Sequence, residues 1–130
     1  MALGGTNFKL RCSTNNDPYA SFEITAATTY TAGQMLLYND TVCVVVGTKA
    51  SGYQVVFVYW AAKIIVPCAI VTSGNLADYA EGSKVYFDAA DAEVNTSAGG
   101  NTLCGIVTTA PAVGDEEVEI HLNGMLGIVA

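Results

Sequence analysis

At 130 residues, with 52% hydrophobic and 13% charged side chains, the chain has enough apolar material for one domain with a sizeable core and too much for a disordered protein. Twelve acidic residues against five basic ones give a formal net charge of -7, which leaves no Lys/Arg patch to neutralise phosphates and argues against nucleic acid as a partner. The small charged fraction also implies more apolar surface than a monomer of this size readily hides, so some of it is expected to meet another protein.

The first 18 residues, rich in Gly, Asn, Ser and Thr, read as an N-terminal arm or edge strand ahead of a single β domain over 19–130. Phe8 and Leu10 alternate with Lys9 and Arg11, the period of a strand with one apolar face, and Asn15-Asn16-Asp17-Pro18 is a turn signal just before Tyr19. No charged segment precedes an apolar stretch, so the sequence predicts no signal peptide, and synthesis in the host cytoplasm. Residues 22–31 favour extended structure through their β-branched side chains, with a helical turn left open at Ala26-Ala27. Thr31-Ala32-Gly33-Gln34 then turns into Met35-Leu36-Leu37-Tyr38.

Asn39-Asp40 is a hairpin break, and Thr41 to Val46 follows as a strand whose unbroken apolarity requires cover on both faces. Gly47 to Gly52 returns the chain into Tyr53 to Trp60, the strongest strand by propensity and again without clean alternation. A small barrel has only one inside. The other side of this strand therefore needs a second cover, from a neighbouring subunit or from another part of the same chain. Lys63-Ile64-Ile65-Val66 begins a further strand, and Pro67, lacking an amide hydrogen, marks an edge, bulge or strand switch. The charge at Lys63 and the proline at 67 make the whole 55–71 stretch a poor membrane helix, so no membrane is expected.

After a loop at 72–75 and a single helical turn over 76–79, the stretch from Gly82 to Gly124 has the clearest pattern. Val85 and Phe87 alternate with Lys84, Tyr86 and Asp88, and Val118, Ile120 and Leu122 alternate with Glu117, Glu119 and His121. Ser97 to Asn101 and Pro111 to Asp115 supply turn residues that leave little room for helices. Asn123-Gly124 signals another turn, and residues 125–129 are expected to add a terminal strand. The fold class is all-β, a small β-barrel or compact β-sandwich with short turns.

Candidate chemistry is sparse. His121 is the sole histidine and falls on the wet face of its strand, with Glu119 and Asn123 beside it, which predicts a surface role rather than a general base. Cys12, Cys43, Cys68 and Cys104 lack CxxC spacing and read as small buried reduced thiols; if oxidised, four cysteines allow three pairings. The acids Asp88, Asp91 and Glu93, and the run Asp115-Glu116-Glu117 with Glu119, lack the oxygen-donor spacing of a calcium loop and read as solvated turns. Gly99-Gly100-Asn101-Thr102 has no phosphate-loop lysine. The reading is therefore not an enzyme, with no cofactor and no metal.

The order GSKVYFDAA, then VNTSAGGNTLCGIVTTAPAVGDEEVEIHLNG, resembles a phage and prophage head-module domain, and the earlier TAGQMLLYNDTVCVVVGTKASGYQVVFVYWAAKIIVP is similar to its strand-loop-strand half. The resemblance covers about residues 22–124. It is carried by Gly82, Val85 to Asp88, Gly100 to Leu103, Gly105, Gly114-Asp115 and Leu122 to Gly124. It implies a small capsid decoration or cement protein, a homotrimer on the outer surface of a tailed-phage head that clamps neighbouring copies of the major capsid protein. On that reading Tyr53, Val56, Val58 and Trp60 make intersubunit contacts, and Phe8, Lys9, Leu10 and Arg11 touch the capsid. A head-fibre or tail-associated component, and a small glycan-binding β domain with Tyr53, Tyr59 and Trp60 facing solvent, are the alternatives.

Overall fold

β-branched runs punctuated by glycine turns give eight strands: β1 (Tyr19–Thr25), β2 (Met35–Tyr38), β3 (Thr41–Val46), β4 (Gln54–Pro67), β5 (Lys84–Asp88), β6 (Glu93–Asn95), β7 (Thr102–Thr109) and β8 (Glu117–Asn123). The structure, a computed structural model, describes residues 19–126. The arm, with Phe8 to Arg11 and Cys12, lies outside the described residues, as do the last three residues of the expected terminal strand. Gly124 turns as expected, and Met125 continues that turn instead of beginning the strand.

All the strand pairs are antiparallel, in the order β2-β3-β4-β8-β7-β5-β6, with β1 on β4. The path nearly closes on itself. Beyond the end of β4, Cys68 bridges Val94 in β6, and the Ala69 amide donates to the Val94 carbonyl at 2.9 Å. The result is a small barrel built from the second half of β4 with β8, β7, β5 and β6, extended by a sheet of β1, the first half of β4, β3 and β2.

β4 is the shared element. The sequence predicts two strands, Tyr53 to Trp60 and one beginning at Lys63, but a single 14-residue strand runs through both, and Tyr53 lies just before it. Continuity is possible because Ala61 and Ala62 are small and because the pairing with β8 shifts register between Ala61 and Ile64. That irregularity bends the strand from sheet into barrel without breaking it. At residues 60–61, β1 pairs along one edge of β4 and β8 along the other; β3 lies on the same edge as β8.

Turn chemistry follows the residues. Asn39 and Asp40 both have positive φ, 51° and 68°, the backbone that a two-residue hairpin needs to match strand twist. β1 begins three residues before the expected start and ends at Thr25; beyond it only Tyr30 pairs, in an isolated bridge with Lys49. Leu76–Tyr79 forms the expected helical turn, as 3-10. Glu93–Asn95, where sequence predicts only a turn, forms β6 because Val94 is drawn fully into the core between Phe87 and Cys68.

The expectation that β3 and β4 need cover on both faces is met within one chain. Val42, Val44, Val46 and Val58 join the barrel core with Ile64, Val66, Phe87, Ile120 and Leu122. Cys43, Val45, Val55 and Phe57 point the other way into a second cluster, covered by Phe22, Ile24, Tyr30, Leu36, Tyr38 and Tyr59. Phe57 lies at its centre, with ring centroids 5.7 Å from Phe22, 5.2 Å from Tyr30 and 5.5 Å from Tyr38, all near edge-to-face. Burying a side chain of this kind contributes about 1.5–3 kcal/mol, so the second cluster is a real part of the fold's stability.

Candidate functional site

The groups that could do chemistry are held apart. Cys43, Cys68 and Cys104 are buried, and burial pushes each thiol up to about 12, so none is available as a thiolate near neutral pH. Around Cys68 the carboxylates of Glu93, Asp115, Glu117 and Glu116 add to that effect. Cys43 and Cys104 donate weakly to the carbonyls of Thr41 at 3.4 Å and Val85 at 3.7 Å, as packed core residues do. His121 stands on the outer wall of the barrel, its ring edge-on to Trp60 with centroids 5.3 Å apart. Cys68 and Cys104 lie in the barrel core and Cys43 in the second cluster, so among the described residues no thiol meets the His121 ring.

The acids collect near the barrel end where β4 leaves Pro67. A groove of about 610 Å³ is lined by Ile65, Pro67 and Pro111 together with Asp115, Glu116, Glu117 and Glu119. The hydroxyls of Thr108 and Thr109 both donate to Glu119 Oε1, at 2.9 and 2.6 Å, which fixes that carboxylate in place. Asp88 Oδ1 accepts from the Ala90 amide at 3.0 Å and the Asp91 amide at 3.4 Å, closing the turn before β6. The Glu93 carboxyl is raised above the usual range, first by partial burial and then by Asp91, Asp88 and Glu116. Among the described residues, no three His, Cys, Asp or Glu side chains converge in a metal-holding arrangement.

The four residues that sequence reasoning placed at an interface do not form one patch. Tyr53 is 66% exposed in the loop before β4, at the opposite end of the first half-strand from Trp60. Val56 is half-buried against the barrel core. Val58 is fully buried inside the subunit, flanked by Ser21 and Val44, and has no surface to offer a neighbour. Sequence reasoning missed this because β4 shows no alternation; its two faces are covered by the barrel core on one side and the Phe57 cluster on the other. Trp60 is the one that reaches the barrel wall. There it meets His121, whose paired residue on β7, Ile106, is 41% exposed.

The described surface carries a Trp60–His121–Ile106 wall and an acidic groove on an all-β frame. No curated protein and no solved structure matches the chain. A family model does: that of the phage cement proteins, over residues 17–122, which is most of the chain.

Proposed function

The chain belongs to the phage cement protein family, a structural family associated with the phage capsid, and from that premise we propose that it assembles as a homotrimer on the outer surface of a tailed-phage head and stabilises the shell. The match over residues 17–122 carries the reading, because it spans both the sheet and the barrel. The physical character of the subunit supports it. Cys43, Cys68 and Cys104 are locked in the core, and the exposed features suit contact surfaces. Both suit a protein whose work is mechanical.

In this reading the subunits meet through the barrel wall around Trp60, with His121 and Ile106 beside it, while Val56, packed against the barrel core, makes at most a separate contact. A half-exposed tryptophan next to an exposed aliphatic residue is the composition of an interface centre. Tyr53, at the far end of the strand, is a separate and smaller contact. The N-terminal segment with Phe8, Lys9, Leu10 and Arg11 faces the major capsid protein, its two cations against capsid acids. Each contact is modest, and three copies per trimer engaging several capsomers multiply their effect through high effective concentration.

The experiment is omission and add-back. Heads made without the protein should form and then release DNA at a lower temperature than complete heads, and purified protein added in trans should restore the difference. Rupture at the same temperature with and without it contradicts a stabilising role.

A further inference from the structure

Asn123-Gly124 is the only Asn-Gly pair in the chain, and it lies on the seam where β3 and β8 meet end to end along β4. This dipeptide has a chemistry of its own. Glycine puts no side chain in the way, so the Gly124 backbone nitrogen can attack Cγ of Asn123. A ring N–Cγ bond forms, the Cγ–Nδ2 bond breaks, and the side-chain nitrogen leaves as ammonia. Water then opens the succinimide at either carbonyl, giving aspartate or isoaspartate, the latter with an extra methylene in the main chain. No oxidant or cofactor enters the balance.

The fold opposes each movement that this attack requires. Asn123 ends β8 and is held extended opposite Trp60. Its Oδ1 accepts from the Met125 amide at 3.1 Å, which holds the side chain over the turn. The attacking nitrogen is itself engaged, since the Gly124 amide donates to the Tyr59 carbonyl at 2.6 Å while the Gly124 carbonyl accepts from the Val42 amide at 3.0 Å. Gly124 is buried, and the backbone oxygens of Val42 and Tyr59 fill the space beside its Cα. Turning the Asn123–Gly124 peptide toward Cγ therefore means giving up both hydrogen bonds.

We propose that Asn123 is a deamidation site gated by this seam, inert while Gly124 bridges Tyr59 and Val42 and converted once that junction opens. The conversion runs one way. Isoaspartate lengthens the main chain between the residue that pairs with Trp60 and the residue that bridges to β3, so the two contacts no longer fit one register. It also adds a negative charge to a chain already at -7. A subunit whose seam stays open long enough is thereby barred from closing it, and chemical loss takes the place of refolding. This is a property of the free subunit and does not rest on the capsid reading.

Incubating the full-length chain at pH 8, folded and in urea, tests the site by peptide mapping, which separates asparaginyl, aspartyl and isoaspartyl forms of the segment around residue 123. Loss of Asn123 should be at least about tenfold slower in the folded chain. In urea it should outpace loss of Asn95 and Asn101, each of which precedes a threonine. Equal rates in the two states would overturn the gate, and no conversion in urea would overturn the site. Val42→Ala leaves the Asn-Gly pair intact but removes packing at the seam, and it should speed conversion of the folded chain at least about threefold more than Val85→Ala, a core truncation on β5. Equal acceleration by both variants would assign the opening to global unfolding and overturn the local gate. Asn123→Asp carries the new charge without the methylene and should keep the parent's hydrogen exchange at the Val42 amide. The isolated isoaspartyl chain should exchange there about tenfold faster. Equal protection in the two would overturn the one-way loss of the seam.

Discussion

The Gly124 amide donates to the Tyr59 carbonyl at 2.6 Å, at the point where β3 and β8 meet end to end along one edge of β4. The Gly124 carbonyl in turn accepts from the Val42 amide at 3.0 Å, so a single residue joins the sheet to the barrel. A Cβ at this position would overlap the Val42 carbonyl oxygen and crowd the Tyr59 oxygen, both backbone atoms held by their strands. Gly124→Ala should therefore cost about 3 kcal/mol or more, the upper range for overpacking, because backbone cannot give way as a side chain can. Gly99→Ala, where a Cβ meets nothing within 4 Å and φ is not positive, should stay within about 0.5 kcal/mol. Urea unfolding of the two variants measures both, and equal midpoints would show that the seam is not a fixed junction.

Val58 and Ile106 separate folding from assembly. Val58→Thr puts a hydroxyl into the fully buried barrel core and should destabilise the subunit by about 1–3 kcal/mol, leaving the oligomeric state of the folded fraction unchanged. Ile106→Glu, on the outer wall beside His121, should leave stability within about 0.5 kcal/mol and shift the proposed trimer toward monomer. Light scattering alongside denaturant curves reads the two effects. A trimer indifferent to Ile106→Glu moves the interface away from the Trp60 wall.

The buried thiols give a pH dependence of known sign. Cys43, Cys68 and Cys104 rise from the ordinary 9.0 to about 12 in the fold, and Tyr79 rises from 10.0 to about 12, first through burial. The folded chain thus keeps protons that the unfolded chain releases. Stability from the thiols is fully present below about pH 9 and is lost as pH rises toward 12, with Tyr79 joining above pH 10. Denaturant midpoints should fall across that window. At pH 8 these three cysteines should resist alkylation in the folded protein and react once urea unfolds it; rapid labelling of the native chain would contradict their burial.

Much of this architecture is legible in the residues, and the exceptions share a cause. Asn39-Asp40, the Thr41 to Val46 run and the alternation at Val118, Ile120 and Leu122 are local signals, and the structure places a hairpin, a doubly covered strand and a barrel wall there. β4 defeats local reading because its bend at Ala61 depends on which strand pairs with each half. The same dependence hid Val58: its side chain points into the barrel core, and that facing is set by long-range pairing with β1 and β3 that its own neighbours in sequence do not encode. Ile106 was overlooked as a contact because its strand, Thr102–Thr109, has a mixed pattern in which Gly105 sits against His121, where a Cβ would overlap the carbonyl oxygen.

The most direct measurement is cryo-electron microscopy of intact particles of the parent phage. The account predicts density for this β-barrel on the outer face of the head, as trimers at threefold or quasi-threefold positions, with the Trp60 wall turned toward the trimer axis and the N-terminal segment toward the major capsid protein. Density confined to the tail, density on the inner face of the shell, or heads that carry none of this protein would contradict it.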